Sequence, residues 1–484
     1  MIKSIQHFQG VGVKSLEEIM VNYSGDMTKI AEMVYGVTET VVKLGLSMIS
    51  EELENYDNHL RKNKTCRKEW HIVKIDETTL LTSLGSVTYK KTLFKNKNTG
   101  KREYLLDRAM GIEKHARMTE DAHAKILEEA VESSYRKGGK NASIGNEEVS
   151  KETVMNKVHV LKFPKASPQK EKKALKYLYI DADEDHVALQ YLDKKGDIKK
   201  PRNNTVMPKI VYVYEGVEND GTRNKLVNKK HFGGVYEGSA GVEALWNEVY
   251  EYIAASYETE EIKKIYVSGD GAGWIKSGAK LIGKAKFVLD RFHLHKYIVG
   301  ATSHLLDSVS DAREEIYSSI YSQKKWCCAQ VFDKIMNATK SESKYKTVEA
   351  AKGYILGNWS GIMEKVRSKD KQLKCSAEGA VSHVYASRMS SRPLGWSRSG
   401  ADKMARLRIY YYNKGNMLEL VRYQKEELPK VAGGEDMIYS CGEMRIMENK
   451  KRKELGVYAD MPVYSIPYPQ IKKIANFRNN IWGL

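Results

Sequence analysis

The chain has 484 residues, a length suited to about three domains, and its 41% apolar content is too high for a wholly disordered polymer. Lys and Arg number 80 against 62 Asp and Glu, and the net charge of +18 favours a polyanionic partner, nucleic acid ahead of an anionic membrane surface. Five cysteines, at 66, 327, 328, 375 and 441, form neither a disulfide framework nor a CxxC metal clip, and they fit a reducing cytoplasm.

The first residues, MIKSIQHFQGVGVKSLEEIM, lack the apolar core of a signal peptide, and no run of 18 apolar residues follows anywhere, so no membrane partner is expected. Residues 1–62 read as an N-terminal helical segment. Apolar positions at 30, 34, 37, 41, 44 and 48 alternate steps of four and three, a narrow seam for a partner helix. Gly36 and Gly45 weaken a free-standing coil and favour packing within the same chain over a dimer contact.

Residues 63–110 read as a small β-meander from the runs HIVKI, TLLTSL, SVTYKKTLF and EYLLD, with turns at Gly85 and Asn98-Thr99-Gly100. Residues 111–165 return to helix over 113–136, then the turn-rich KGGKNASIGN. Ser150 follows as an N-cap before KETVMNKVHVLKF, with Val154, Val158 and Leu161 on one face. This is the outline of a helix-turn-helix, an outline shared with many small helical hairpins. PKASPQKEKK, 164–173, has the composition of a linker.

From 174 to 302 the pattern is α/β. KYLYIDADEDHVALQYL reads as one long strand turned by Lys194–Asp197, followed by strands in 209–216 and 224–236. A helix after Gly238–Gly241, the buried strand KKIYVSG, a short helix, the strand KAKFVL and a helix opened by Asp290 complete the run. Three consecutive strands followed by alternating helix and strand is the order of an RNase H-like α/β core. Its sheet is mixed, with three antiparallel strands plus parallel strands and helices on both faces. Residues 303–372 form an all-helical insertion, 373–425 the last part of the core with basic helices, and 426–484 a region without an assigned role. The N-terminal region before the core is α+β.

Alternation places Asp181, Asp183 and Asp185 on one strand face, where repelling carboxylates require either a cation or water; a solvated hairpin edge is the plain alternative. Asp270 ends an apolar strand and opens the turn Asp-Gly-Ala-Gly, where α/β sheets collect ligands, although such turns are also common without function. Glu378 stands in the first turn of the helix in CSAEGAVSHVYASRMSSRP; alone, it is an ordinary solvated glutamate.

YIDADEDHV, VSGDGAGWIK, LDRFHLHKY and CSAEGAVSHVYASRMSSRPLGWS resemble segments of bacterial insertion-sequence transposases of the ISLre type, relatives of the Mutator-like group. The similarity runs from about Trp70 to about Arg422. It implies a DDE transposase with Asp183, Asp270 and Glu378 as catalytic, metal-holding residues and Asp181 in reserve. The helical insertion accounts for the long stretch between Asp270 and Glu378. Asp290 and His293 resemble the family's Cys/Asp-x-x-His element and would support the site; an N-cap with a packed histidine is the equal alternative. Arg388, Arg392, Trp396, Arg398, Arg406 and Arg408 follow Glu378, and their basic and aromatic chemistry suits DNA phosphates and unpaired bases.

The cofactor expected is Mg²⁺, with Mn²⁺ able to substitute, because hard cations take carboxylate oxygens. The partners expected are element ends and target DNA, bound by a homo-oligomer in a nucleoid-associated, cytoplasmic setting. The rival expectations are an RNase H-fold nuclease or resolvase that cuts without joining, and a non-catalytic DNA-binding regulator.

Overall fold

The computed structural model describes residues 3–426 apart from 64–67, 146, 191–203, 220, 222–223, 371, 374, 376 and 393, and only the backbone of Glu378 and Glu426. The described residues divide into two compact units, one drawn from 3–122 and 143–147, the other from 123–142 and 148–426.

In the first unit, helices α1 (Val13–Ser24) and α2 (Ile30–Lys62) precede an antiparallel meander of β1 (Trp70–Leu81), β2 (Ser86–Asn96) and β3 (Arg102–Tyr104). HIVKI and TLLTSL are one strand with an irregularity between Ile72 and Lys74, not two. EYLLD is a strand only up to Tyr104, after which Leu105–Ala109 turns helical and buries Leu105 and Leu106. Helix α2 packs Leu46, Leu53 and Leu60 against Leu80, Val87 and Tyr89. Asp57, on the same helix, is buried and accepts from the Thr92 backbone N–H at 2.9 Å and the Thr92 hydroxyl at 2.6 Å. The face packed within this unit is therefore a different stripe from the predicted seam, whose Ile30, Val34 and Val41 remain more than half exposed.

The second unit is built on a five-stranded sheet. Its strands are β4 (Tyr177–Glu184), β5 (Pro208–Tyr214), β6 (Lys230–Val235), β7 (Lys264–Gly269) and β8 (Ala285–Leu289), in the order β6-β5-β4-β7-β8. β5 runs antiparallel to both β4 and β6, whereas β7 is parallel to β4 and to β8. One face carries Leu178, Ile180, Ala182, Val211, Val213 and Val267, covered by Leu245, Trp246, Val249 and Ile253 of helix α3 (Gly238–Ser256). Each such fully buried apolar side chain stabilises the fold by about 1.5–3 kcal/mol relative to exposure. A Cβ on Gly278 would fall 2.0 Å from the buried Trp246 ring, so alanine there would split this layer.

The long strand predicted for 176–192 breaks after Glu184. Val187–Ala188 pairs instead with Thr205–Val206, and the turn at 194–197 lies outside the described residues. Asp185 thus leaves the strand; it is buried and accepts from the Ser390 hydroxyl at 2.8 Å. Residues 224–236 form two strands rather than one, parted at Asn228, whose φ is +49°. The helix expected from 113 begins at Glu120.

The linker-like 164–173 is strapped to the core. The Gln169 side chain donates to Glu215 at 2.9 Å and to the Tyr257 hydroxyl at 3.0 Å, and Lys173 pairs with Glu215 at 3.0 Å. Its polar composition reflects these contacts, not freedom. The insertion contains helices α5 (Val309–Tyr321), α6 (Lys325–Ala338), α7 (Glu342–Gly357) and α8 (Trp359–Arg367). They share a core with α4 (Arg291–Thr302), including Ile298, Ile316, Phe332, Val348 and Ile355.

Candidate acidic site at the strand ends

Strand register brings the predicted aspartates together. Ser268 of β7 lies opposite Asp181 of β4, and Gly269 lies opposite Leu289 of β8. Side chains alternate, so Asp181, Asp183 and Ser268 share a face. Asp270 and Asp290, each the first residue past its strand, continue the same register at the carboxyl ends. The Asp290 backbone N–H donates to the Gly269 carbonyl at 2.9 Å, tying the two ends together.

Each acid has a different environment. Asp183 is half-buried and accepts from the Glu184 N–H at 2.8 Å. Asp270 accepts from the Ala272 N–H at 2.8 Å, and Gly271 takes φ +89°, the left-handed conformation this turn requires. Asp290 is buried and caps helix α4, accepting from Phe292 N–H at 3.2 Å while its other oxygen holds His293 Nδ1 at 3.0 Å. That bond raises the His293 pKa above its ordinary value, and the charges of Asp290, Asp183 and Asp270 add to the rise. His293 therefore senses all three aspartates at once, which places them within electrostatic reach of one imidazole.

Asp181 is different. It is fully buried and receives the Tyr212 hydroxyl at 2.8 Å and the Tyr214 hydroxyl at 3.3 Å. Burial, followed by the Asp181 charge, pushes the Tyr214 phenol far up, so it stays a donor. Burial also pushes the Cys375 thiol well up, with Asp181, Asp290 and Asp183 adding to the effect. Glu378 lies in the short helix Ala377–Val381, which packs against β4; its side chain falls outside the described residues. Among the described residues, no three His, Cys, Asp or Glu side chains are arranged to hold a metal ion.

The basic set after Glu378 divides into interior and surface residues. Arg388 is buried, donates to the Ala130 carbonyl at 3.1 Å and lies over the Trp396 and Tyr135 rings. Trp396 is buried too, its indole N–H given to the Met389 carbonyl at 3.0 Å. Arg408 is completely buried among backbone carbonyls. The polar atoms of all three serve the interior of the fold. Arg406 is part-buried, bound to Asp402 at 2.9 Å and to the Tyr236 hydroxyl at 3.1 Å. Arg392 and Arg398 remain exposed, Arg398 beside Glu237.

Ser150 does cap the helix Lys151–His159, accepting from the Thr153 N–H at 3.2 Å. Val154, Val158 and Leu161 are buried, and Lys151, Glu152 and Asn156 face solvent.

Sequence reasoning missed the tyrosines lining the acid face. Tyr179, Tyr212, Tyr214 and Tyr266 form one cluster, with Tyr179 stacked on Tyr214 at 5.3 Å and on Tyr266 at 5.9 Å. Their hydroxyls reach Asp370, Asp181 and Ser368. The signal was an excess of 30 Tyr over 8 Phe. Tyrosine fills this layer because each ring must also supply a donor or acceptor in the interior.

The molecule is thus a mixed α/β protein with aspartates gathered at the carboxyl ends of its central parallel strands. The chain belongs to the family described as "Uncharacterised protein family (UPF0236)", which matches residues 24–427. One UPF0236 protein of Caldanaerobacter subterraneus subsp. tengcongensis is 37% identical over 417 residues, 85% of each chain. Another, whose name carries eleven locus designations, is 36% identical over 415 residues, 84% of each chain. Among solved structures, a chain of the Drosophila P element transposase strand transfer complex is similar at 12% identity. It covers 76% of this chain and 93% of that one with a TM-score of 0.23, too low to establish a shared fold. Among the described residues no helix is long and apolar enough to cross a membrane.

Proposed function

We propose that this chain is the transposase of a bacterial insertion sequence, binding the ends of its element and catalysing DNA cleavage and strand transfer. The carrying observation is the strand order β6-β5-β4-β7-β8 with Asp183 and Asp270 at the ends of its two central parallel strands. That order and strand sense support an RNase H-like core. A helix bearing Glu378 packs on the first of these strands, which supports a third carboxylate. A relative named for eleven loci supports a gene that multiplies within its genome, and the +18 net charge suits a DNA partner.

Mg²⁺ suits this site by donor chemistry: Asp183 and Asp270 offer hard carboxylate oxygens on one face, and Glu378 is the proposed third donor. When bound, such ions activate an attacking oxygen and stabilise the leaving one. Asp290 and His293 hold the neighbouring strand end in place, and the buried Asp181 braces β4 against β5 through Tyr212 and Tyr214. Water, then a DNA 3′-hydroxyl, attacks the phosphodiester in line, without a covalent protein intermediate.

The test is cleavage and joining of a labelled element end with Mg²⁺, beside a gel-shift titration. Asp183→Asn, Asp270→Asn and Glu378→Gln should each lower cleavage by about 100-fold or more and leave DNA affinity level or slightly higher. Glu349→Gln, exposed on α7, should cleave normally. Full cleavage by Glu378→Gln would sink the third carboxylate. Cutting without joining would leave a nuclease, and binding without cutting a DNA-binding regulator.

A further inference from the structure

We propose that Tyr354 and Asn358, on the helical insertion, are positioning residues that aim Asp270. The inference rests on the metal-holding role proposed above for Asp270. Tyr354 lies on α7, 84 residues from Asp270 along the chain, and its hydroxyl donates to the Asp270 backbone carbonyl. Its ring stacks on Tyr297 of α4, with centroids 3.7 Å apart and planes within 14°. Helix α4 is the one capped by Asp290, so this ring pair joins the insertion to two strand ends.

Asn358 completes the clamp. It is 5% exposed, and its Nδ2 donates to the Tyr354 carbonyl at 2.9 Å. Its Oδ1 is buried without a hydrogen-bond partner and sits against Gly271, where an added Cβ would fall 2.5 Å away. The insertion therefore meets the peptide between Asp270 and Gly271 at two points: a hydroxyl bonds the carbonyl, and a side-chain amide packs against the glycine. The Asp270 carboxylate has its own bond to the Ala272 N–H, but that turn rides on the clamped peptide. A buried amide oxygen left unpaired costs stability, and this one lies beside Gly271, whose positive φ favours glycine, so it constrains the turn. The helical insertion then does more than separate the second acid from the third: it fixes the direction of the second.

The experiment uses the full chain. Tyr354→Phe removes the hydroxyl and keeps the stacked ring. Mn²⁺ binding followed by electron paramagnetic resonance should weaken by about tenfold, the low end for losing a group that orients a metal ligand. The Mg²⁺ concentration for half-maximal cleavage should rise by about the same factor, with much of the rate recovered at saturating metal. The melting temperature should stay within a few degrees. Asn358→Ala should shift both metal midpoints in the same direction, and Tyr345→Phe, exposed on the same helix, should shift neither. Wild type that binds Mn²⁺ and cleaves, with both variants matching it in metal response, overturns the proposal. So does a loss confined to melting temperature. Wild type that neither binds Mn²⁺ nor cleaves overturns the reading of Asp270 itself.

Discussion

Replacing Arg408 by methionine separates a structural arginine from a DNA contact. Arg408 is completely buried. Its guanidinium donates to the carbonyls of Val131 and Val384, to the His383 carbonyl at 2.8 Å and to the Ser387 hydroxyl at 2.9 Å. It also lies over the Tyr412 ring, 5.3 Å from the centroid. Methionine keeps most of the stem volume but takes the donor from the buried Val131 and Val384 carbonyls, while the His383 carbonyl keeps the Ser387 and Tyr412 hydroxyls. Each unpaired group costs about 1–3 kcal/mol, and relief of the buried charge offsets part of the sum, so the expected loss is about 2–4 kcal/mol. Urea unfolding followed by far-ultraviolet circular dichroism reads the loss, and fluorescence anisotropy on the folded fraction reads DNA affinity. Stability should fall while affinity per folded molecule holds. An unchanged urea midpoint with lost DNA binding would refute the structural role and return Arg408 to the DNA surface.

The exposed arginines carry the complementary expectation. Arg392→Ala and Arg398→Ala should weaken binding to all DNA sequences alike and lower the salt slope by about one per lost phosphate contact; unchanged slopes would show that DNA passes elsewhere. The buried histidines set the acid limit. His123 and His231 are pushed down to about 3, chiefly by burial, so the unfolded chain takes up protons first below its own value of about 6.5. Stability should fall with pH from that point, by about 2 kcal/mol per histidine at pH 5, and His231→Asn should flatten the acid limb of an unfolding-versus-pH curve. His293 has the opposite sign, because its pKa is raised: the stability it contributes is complete below about 6.5 and lost as pH rises through its folded value.

Fold order was legible where alternation and turn chemistry agree. YLYIDADE alternates without a break, and its apolar set, Leu178, Ile180 and Ala182, is buried as alternation requires. The helix cap at Ser150 was legible for the same local reason, since a serine before a periodic run has one good use for its hydroxyl. The strand end after Glu184 was not, because it goes with the Asp185 side chain turning to Ser390, 205 residues away, while its backbone N–H still meets the Pro208 carbonyl. Likewise PKASPQKEKK has a linker's composition, and only partners such as Ser256, Glu215 and Tyr257 turn it into a strap.

The candidate site divides along the same line. Asp270 was readable as the close of an apolar strand, whereas Asp183 was singled out among three alternating aspartates only by the family resemblance; parallel pairing of β4 and β7 puts both at the same end of the sheet. The burial of Arg388 and Arg408 was not legible, because charge at a position says nothing about which side of a helix faces the interior. On Arg398–Tyr412, Arg398 meets solvent and Arg408 meets three carbonyls, ten residues apart on one helix. The clamp on Asp270 could not be read from spacing, since Tyr354 and Asn358 are ordinary residues of a helix that packs on α4 rather than on the sheet. What brings them to the turn is the insertion's own core: Ile298, Val348 and Ile355 fix how α7 lies along α4, and that angle delivers one hydroxyl to one carbonyl. Chemistry that depends on a single long-range bond is therefore set by apolar residues far from the acids. Substitutions in that core, such as Val348→Ala, belong among the changes that would disturb the site without touching it.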